Sequence, residues 1–410
     1  SAIAKGSEKD GTQNYQVNLN ANKWVNENLK FKSTFYGRDT ESDYDKNAST
    51  EENVISDNKM YAMQVGFERL TNNSFDNFII HYHSYDRKYD EQGTENKYYS
   101  ESVTTKAERD ITFNNNLSFG YGAEYKYDWG DYTTLTFTSQ TKGHLKNFGI
   151  FANAGYKFND KQSLSLHLRN DDHKETGGNQ TYKINYTQLF KNLKFGLTRS
   201  TGLKNPSLYE LYGSSSFHSG STSIDPEKST TNEFYVKYSF KENIQFISTL
   251  YRTNMTDRIK IKSDWSGYEN KVPDTTQEGI ESEINLFFKD NQKFSIMSHF
   301  AKSRTDTGGP NSRRPDTSYG IDYEKKLNIK NYGPLNLNLN YRYIGRHLDW
   351  TGSKNEFVKS VDLVDLTLRK EKFNNVFTLS FTNLLNERYE KPATYSQDGR
   401  QFRIGFKTLY

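Results

Sequence analysis

The first residues in this chain whose types could do chemistry are two acidic stretches. Residues 40–58 carry Asp43, Asp45, Glu51, Glu52 and Asp57, and the neighbouring stretch carries Asp86, Asp90 and Glu91. Carboxylates gathered from adjacent loops suit Ca²⁺, a hard cation that takes about six to eight oxygen ligands. Lys46, Arg87 and Lys88 lie among them, so the same acids also read as charge-balanced, solvated loop residues. His81 and His83 share one face of an extended segment, where paired imidazoles could hold a metal or line a polar interior. Tyr209 and Tyr212 could stack on a planar ligand or pack their own segment onto a rim. The 8 histidines are otherwise dispersed, and no nucleophile elbow or HExxH zinc signature occurs. No catalytic residue is assigned: binding is the chemistry these groups support.

The elements that must position these groups are strands. Apolar residues recur at every second position in Tyr61/Met63/Val65/Phe67, Phe148/Ile150/Ala152/Ala154/Tyr156, Leu164/Leu166/Leu168 and Leu335/Leu337/Leu339/Tyr341/Tyr343. The intervening positions are mostly polar, as in Asn336, Asn338, Asn340 and Arg342. Period-two alternation places one strand face in an apolar environment and the other in a polar one. Such runs fill the chain with no competing helical period. Only 33% of the 410 residues are hydrophobic, and the mean hydropathy is −0.96, too polar for a conventional core. Disorder is excluded by 30 Tyr and 27 Phe placed in register, since disordered chains are poor in aromatics. A transmembrane barrel resolves the conflict, because its polar lumen and wet loops dilute an apolar outer face.

Other counts agree. With 7 Pro and no Cys, most of the chain can sit in hydrogen-bonded ladders, and disulfide or thiolate chemistry is ruled out. A net charge of +4 from 55 basic and 51 acidic residues argues against a nucleic-acid partner. Connections alternate short (near residues 71–74, 159–162 and 289–292) and long (40–58, 88–105, 131–142, 203–229, 257–275, 306–313, 349–359 and 389–400). This segregation is expected of barrels with short periplasmic turns and long extracellular loops. Basic residues on polar faces (Arg169, Lys183, Lys237, Arg342, Arg369, Arg403) either guide an anionic cargo or pair with acids such as Glu124 and Glu283. The last hairpin, residues 376–410, ends on Tyr410, an aromatic terminus expected to be read by the barrel assembly machinery.

Residues 205–229, NPSLYELYGSSSFHSGSTSIDPEKS, followed by Glu233, resemble a segment of the TonB-dependent outer-membrane receptors. Further motifs follow in the family's order: QEGIESE at 277–283, RRPDTSYGIDY at 313–323, 344–346 at a strand end, and TNLLNERY at 382–389. Spacing is closest to the vitamin B12 (cobalamin) transporter group. The resemblance implies an all-β fold, a transmembrane antiparallel β-barrel of the 22-stranded type, while counting hairpins gives about 19 strands in this chain. It also implies an N-terminal plug and a TonB box pulled by an inner-membrane energy-transducing complex. An odd strand count has the wrong parity for a bacterial barrel. The whole of 1–410 is therefore read as a barrel domain truncated at its N-terminus, with plug, TonB box, signal and about three strands outside it.

The implied function is outer-membrane uptake of a large scarce nutrient, cobalamin or a metal chelate such as a siderophore, by a monomer seated in outer-membrane lipid. By the same resemblance Asp43, Asp45, Asp57, Asp86 and Asp90 occupy places where cobalamin transporters order loops with calcium. Two other classes stand as alternatives: a passive porin-like channel without energy coupling, and a soluble all-β binding protein.

Overall fold

The structure, a computed structural model, describes residues 11–408 except 48–49, 92, 135–138, 216–217, 271–273, 306–308, 331–332 and 352–353. For 44–47 and 50–53 it describes the backbone only. Tyr410 and the side chain of Asp45 lie outside the described residues. One antiparallel sheet of 19 strands dominates, as the alternation predicts. The strands form a meander in which each is hydrogen-bonded to its neighbours in sequence, from Thr12–Trp24 and Leu29–Asn47 through to Asn375–Thr382 and Gln401–Thr408. Two small hairpins stand in the long connections: Lys260–Ile261 with Tyr268–Glu269, and His347–Trp350 with Asn355–Val358. Among the described residues, the edge strands Thr12–Trp24 and Gln401–Thr408 pair on one side only.

Burial is inverted relative to a water-soluble domain. The alternating apolar residues face outward: Ile150 and Leu168 are each 51% exposed and Ile404 77%. Register holds this face continuous. Phe31 lies opposite Phe67 and Phe67 opposite Phe78, while Phe377–Phe406 and Phe381–Phe402 make ring pairs at 5.1 Å. An apolar surface this extensive requires lipid. Near the long-loop end it gives way to rings such as Tyr319, stacked on Tyr343 at 4.5 Å, where an interfacial belt belongs. No described helix is long and apolar enough to cross a membrane; the strands do so.

Residues 40–58, 88–105 and 131–142 are expected to be loops, yet strands run almost to the hairpin tips there: Leu29–Asn47 meets Thr50–Leu70, Ser74–Glu91 meets Thr94–Thr112, and Leu117–Thr134 meets Ser139–Asn159. Six consecutive strands are 18–21 residues long, whereas crossing hydrocarbon takes about 9–11. At about 3.3 Å per residue the excess forms a tall wall above the membrane. Outside the membrane both faces of a strand are wet, so the alternation that reveals it vanishes while the hydrogen-bond ladder continues.

The motifs in the second half organise the long-loop end. Asn383, 6% exposed, accepts the Glu387 N–H at 2.9 Å and donates to the carbonyls of Glu387 and Asp398. Asp349, 1% exposed, accepts from Arg313 Nε at 2.7 Å and from the N–H groups of Ala393 and Trp350. A buried carboxylate needs such saturation.

Neighbouring positions on one strand separate the two faces. Leu166→Lys puts charge on the lipid face and should cost about 2–4 kcal/mol near the bilayer centre, whereas a luminal lysine is tolerated. Ser165→Lys, one residue away, should therefore leave the barrel near its wild-type stability. Urea unfolding in lipid vesicles, read with heat-modifiable gel mobility, checks the difference.

Candidate functional site

The luminal face of the tall wall carries a strip of arginine and tyrosine. Tyr85, Arg87 and Tyr89 occupy alternate positions of one strand, so all project to the same side. Arg87 lies opposite Tyr98 and Tyr98 opposite Tyr132. The Arg87 guanidinium sits 5.1 Å from the Tyr85 ring and 5.4 Å from the Tyr89 ring. Tyr89 meets Tyr98 edge-on at 5.9 Å, and Tyr98 meets Tyr132 at 6.0 Å. Asn58 fixes the strip from the preceding strand, its Oδ1 accepting from Arg87 Nε at 2.6 Å and from the Tyr85 hydroxyl at 3.0 Å. Arg38 lies in the same row through Met60, and its Nε is buried without a hydrogen-bond partner. Cationic planes among tyrosine rings suit a flat, electron-rich or anionic ligand.

A shelf closes over the lower end of the strip. Residues 205–226 fold inward around the short helix Leu208–Tyr212, started by a capping box in which Ser207 and Glu210 satisfy each other's backbone N–H groups. Leu208 and Leu211 cluster with Leu145 of the wall, and Tyr132 and Tyr212 pack against them. Gly220 is required where the chain doubles back, since a Cβ there would lie 2.6 Å from the Leu211 backbone. Beneath the shelf is a cavity of about 380 Å³ lined by His83, Ser102, Lys126, Asp128, Asn147 and His173 among others. Its Ser102 Oγ and Asn147 Oδ1 are buried without partners.

The two tyrosines singled out in the sequence divide. Tyr212 packs: its ring joins the Leu208 cluster, and its hydroxyl donates to Glu175 and accepts from Lys174 Nζ at 3.1 Å. Tyr209 remains 39% exposed, with one side of its ring stacked on His218 at 5.2 Å and 7°. His218, 3% exposed, meets Tyr268 edge-on at 5.2 Å. Tyr209 thus carries an accessible ring on a rigid mount.

The acidic positions do not converge. By register Asp43 and Asp90 flank Ile55, whereas Asp57 lies opposite Lys88 and Asp86 opposite Lys59. These four project to the outer side of the wall, the side away from Arg38 and Arg87. Asp57, then Asp39, hold the Lys59 ammonium more basic than usual. Among the described residues no three His, Asp or Glu side chains are grouped to hold a metal ion. His81 and His83 lie on the luminal face with rings 5.4 Å apart. Several luminal cations are paired: Arg169 with Glu124 at 2.9 Å and Asp171 at 2.7 Å, and Arg342 with Asp365 at 2.8 Å.

Sequence reasoning missed the strip. The period-two spacing of Tyr85, Arg87 and Tyr89 carried the signal, but Arg87 reads in isolation as balancing nearby carboxylates.

The shelf latch is acid-sensitive. The Tyr212 hydroxyl, then Lys174, holds the Glu175 carboxyl below its ordinary range. That contribution to stability is present above the unfolded-state value of about 4.3 and lost as pH falls through the lowered folded value. Hydroxyl-radical footprinting should show residues 208–212 becoming more reactive between pH 6 and pH 3. Tyr212→Phe should flatten this pH dependence.

The family described as "TonB dependent receptor-like, beta-barrel" matches residues 4–386. A search of curated proteins found no match. Among solved structures, the siderophore receptor PirA from Acinetobacter baumannii superposes with TM-score 0.81 at 15% identity, covering 99% of this chain and 72% of that one. A variant of the ferric enterobactin receptor PfeA from Pseudomonas aeruginosa gives 0.81 at 15%, covering 97% and 69%. The copper transporter OprC gives 0.80 at 12%, covering 96% and 71%. At these identities the structures establish the fold, and the family match establishes the kind of protein, a transporting receptor. This chain belongs to the TonB-dependent receptors, as a β-barrel of the outer membrane.

Proposed function

We propose that this receptor takes up a metal in chelated form, and that the chelate is first held on the luminal strip of Arg38, Tyr85, Arg87, Tyr89 and Tyr98, facing the exposed ring of Tyr209. The observation that carries this reading is the buried, unpartnered Nε of Arg38, in the row of Tyr85 on which Arg87 stacks. A guanidinium nitrogen left without an acceptor favours an incoming one. The strip stands on long strands rather than on loops, so its geometry is set before the ligand arrives. The neighbours described as a siderophore receptor, a ferric enterobactin receptor and a copper transporter support a metal chelate over cobalamin. Energy for release into the periplasm comes from the TonB-linked partner complex, and surrounding lipid supports the apolar outer face.

Fluorescence quenching of the receptor in detergent micelles tests the reading, with a ferric tris-catecholate and cyanocobalamin as probes. Saturable quenching by the catecholate alone is expected. Arg87→Ala should weaken it about tenfold, or about 1.4 kcal/mol, with no change in heat-modifiable mobility. Saturable binding of cobalamin alone, unaffected by Arg87→Ala, would overturn the assignment.

A further inference from the structure

A second cavity, of about 410 Å³, lies among three connections at the long-loop end and shares no residue with the strip. Its lining includes Ile344 and Val361, which lie opposite each other at the tops of their strands. They face the same side as the next inward pair in the same phase, Arg342 and Leu363. The cavity therefore opens toward the lumen and not toward lipid. Pro315 and Pro392 complete an apolar floor, and Arg313, His347, Lys359 and Lys391 stand around it.

The charges there are unbalanced. Asp349 is consumed by Arg313 Nε and two backbone N–H groups, and burial of that carboxylate leaves it no further acceptor role. Glu390, the acid in the lining, accepts the Thr394 N–H at 2.8 Å. Neither Lys359 nor Lys391 has an ion-pair partner among the described residues. His347 Nδ1 is buried with no hydrogen-bond partner. Lys354, at the same end, is by contrast paired with Glu356. Two free ammonium groups and a spare imidazole nitrogen over an apolar floor form a site for negative charge attached to an apolar body.

We propose that this cavity binds a small organic oxyanion, a carboxylate or phosphate joined to an apolar group, with Lys359, Lys391 and His347 holding the anion and the Ile344–Val361 floor holding the body. The site is independent of what the strip binds. It gives the receptor a second recognition point, so that a ligand or co-ligand bearing such a group is favoured over a neutral one of the same shape.

Calorimetric titration of the micellar receptor with phenyl phosphate tests this, with inorganic phosphate and benzyl alcohol as probes of charge alone and body alone. Saturable binding of phenyl phosphate is expected, at least tenfold tighter than either half and weakened by added salt. The double variant Lys359→Gln/Lys391→Gln should lose at least tenfold in affinity, and Lys354→Gln should lose none. Heat-modifiable mobility shows that each variant is folded. Absence of saturable binding to the wild type, or equal affinity in the double variant, overturns the proposal. Because Arg87→Ala leaves this cavity untouched, failure here and failure of the chelate reading are read from separate variants.

Discussion

In hydrocarbon a backbone N–H or C=O has no water to turn to, and each one left unpaired costs several kcal/mol. Everything else in this protein depends on the antiparallel ladder that meets this demand across 19 strands. Once the ladder is fixed, alternation decides the rest, because a side chain one residue along points to the opposite environment. The chain can then be highly polar overall and still hold an apolar belt. The same constraint requires Thr12–Trp24 and Gln401–Thr408 to find partners on their open sides within a membrane.

The polar face is held by different means at different heights. Between the strands, cations are spent on neighbouring acids, as in the Arg169–Glu124–Asp171 and Arg342–Asp365 contacts. These pairs hold the wall, and the two arginines in them are not free for a passing cargo. Above the membrane the pattern changes: Arg87 is stacked on tyrosines and oriented by Asn58. The shelf at 205–226 is tied to the wall by an apolar cluster and by the Tyr212–Glu175–Lys174 contacts. A ligand entering from outside thus meets a preformed surface.

Much of this was legible in the sequence. Alternation such as Leu164/Leu166/Leu168 revealed the strands, their number and the apolar face, because membrane burial imposes period two. The ordered motifs identified the family, and in the structure two of them hold the long-loop end: Asn383 of TNLLNERY satisfies loop backbone, and Arg313 donates to the buried Asp349. The height of the wall was not legible, since wet strands and loops have the same composition. Nor were the spatial partners of Tyr209: His218 is nine residues away in sequence, but Tyr268 arrives from a different connection. The cross-strand neighbours of the acidic positions were not legible either, since sequence shows proximity along the chain and not that Asp57 lies opposite Lys88 and Asp86 opposite Lys59.

The central claim is energy-coupled uptake through this barrel. The most direct measurement is accumulation of a radiolabelled ferric tris-catecholate by cells whose only receptor for it is this protein, with TonB present and with TonB deleted. The account predicts saturable accumulation that falls to background without TonB, while the amount of receptor in the outer membrane stays the same. Accumulation that persists undiminished without TonB would contradict it and mark the protein as a passive pore.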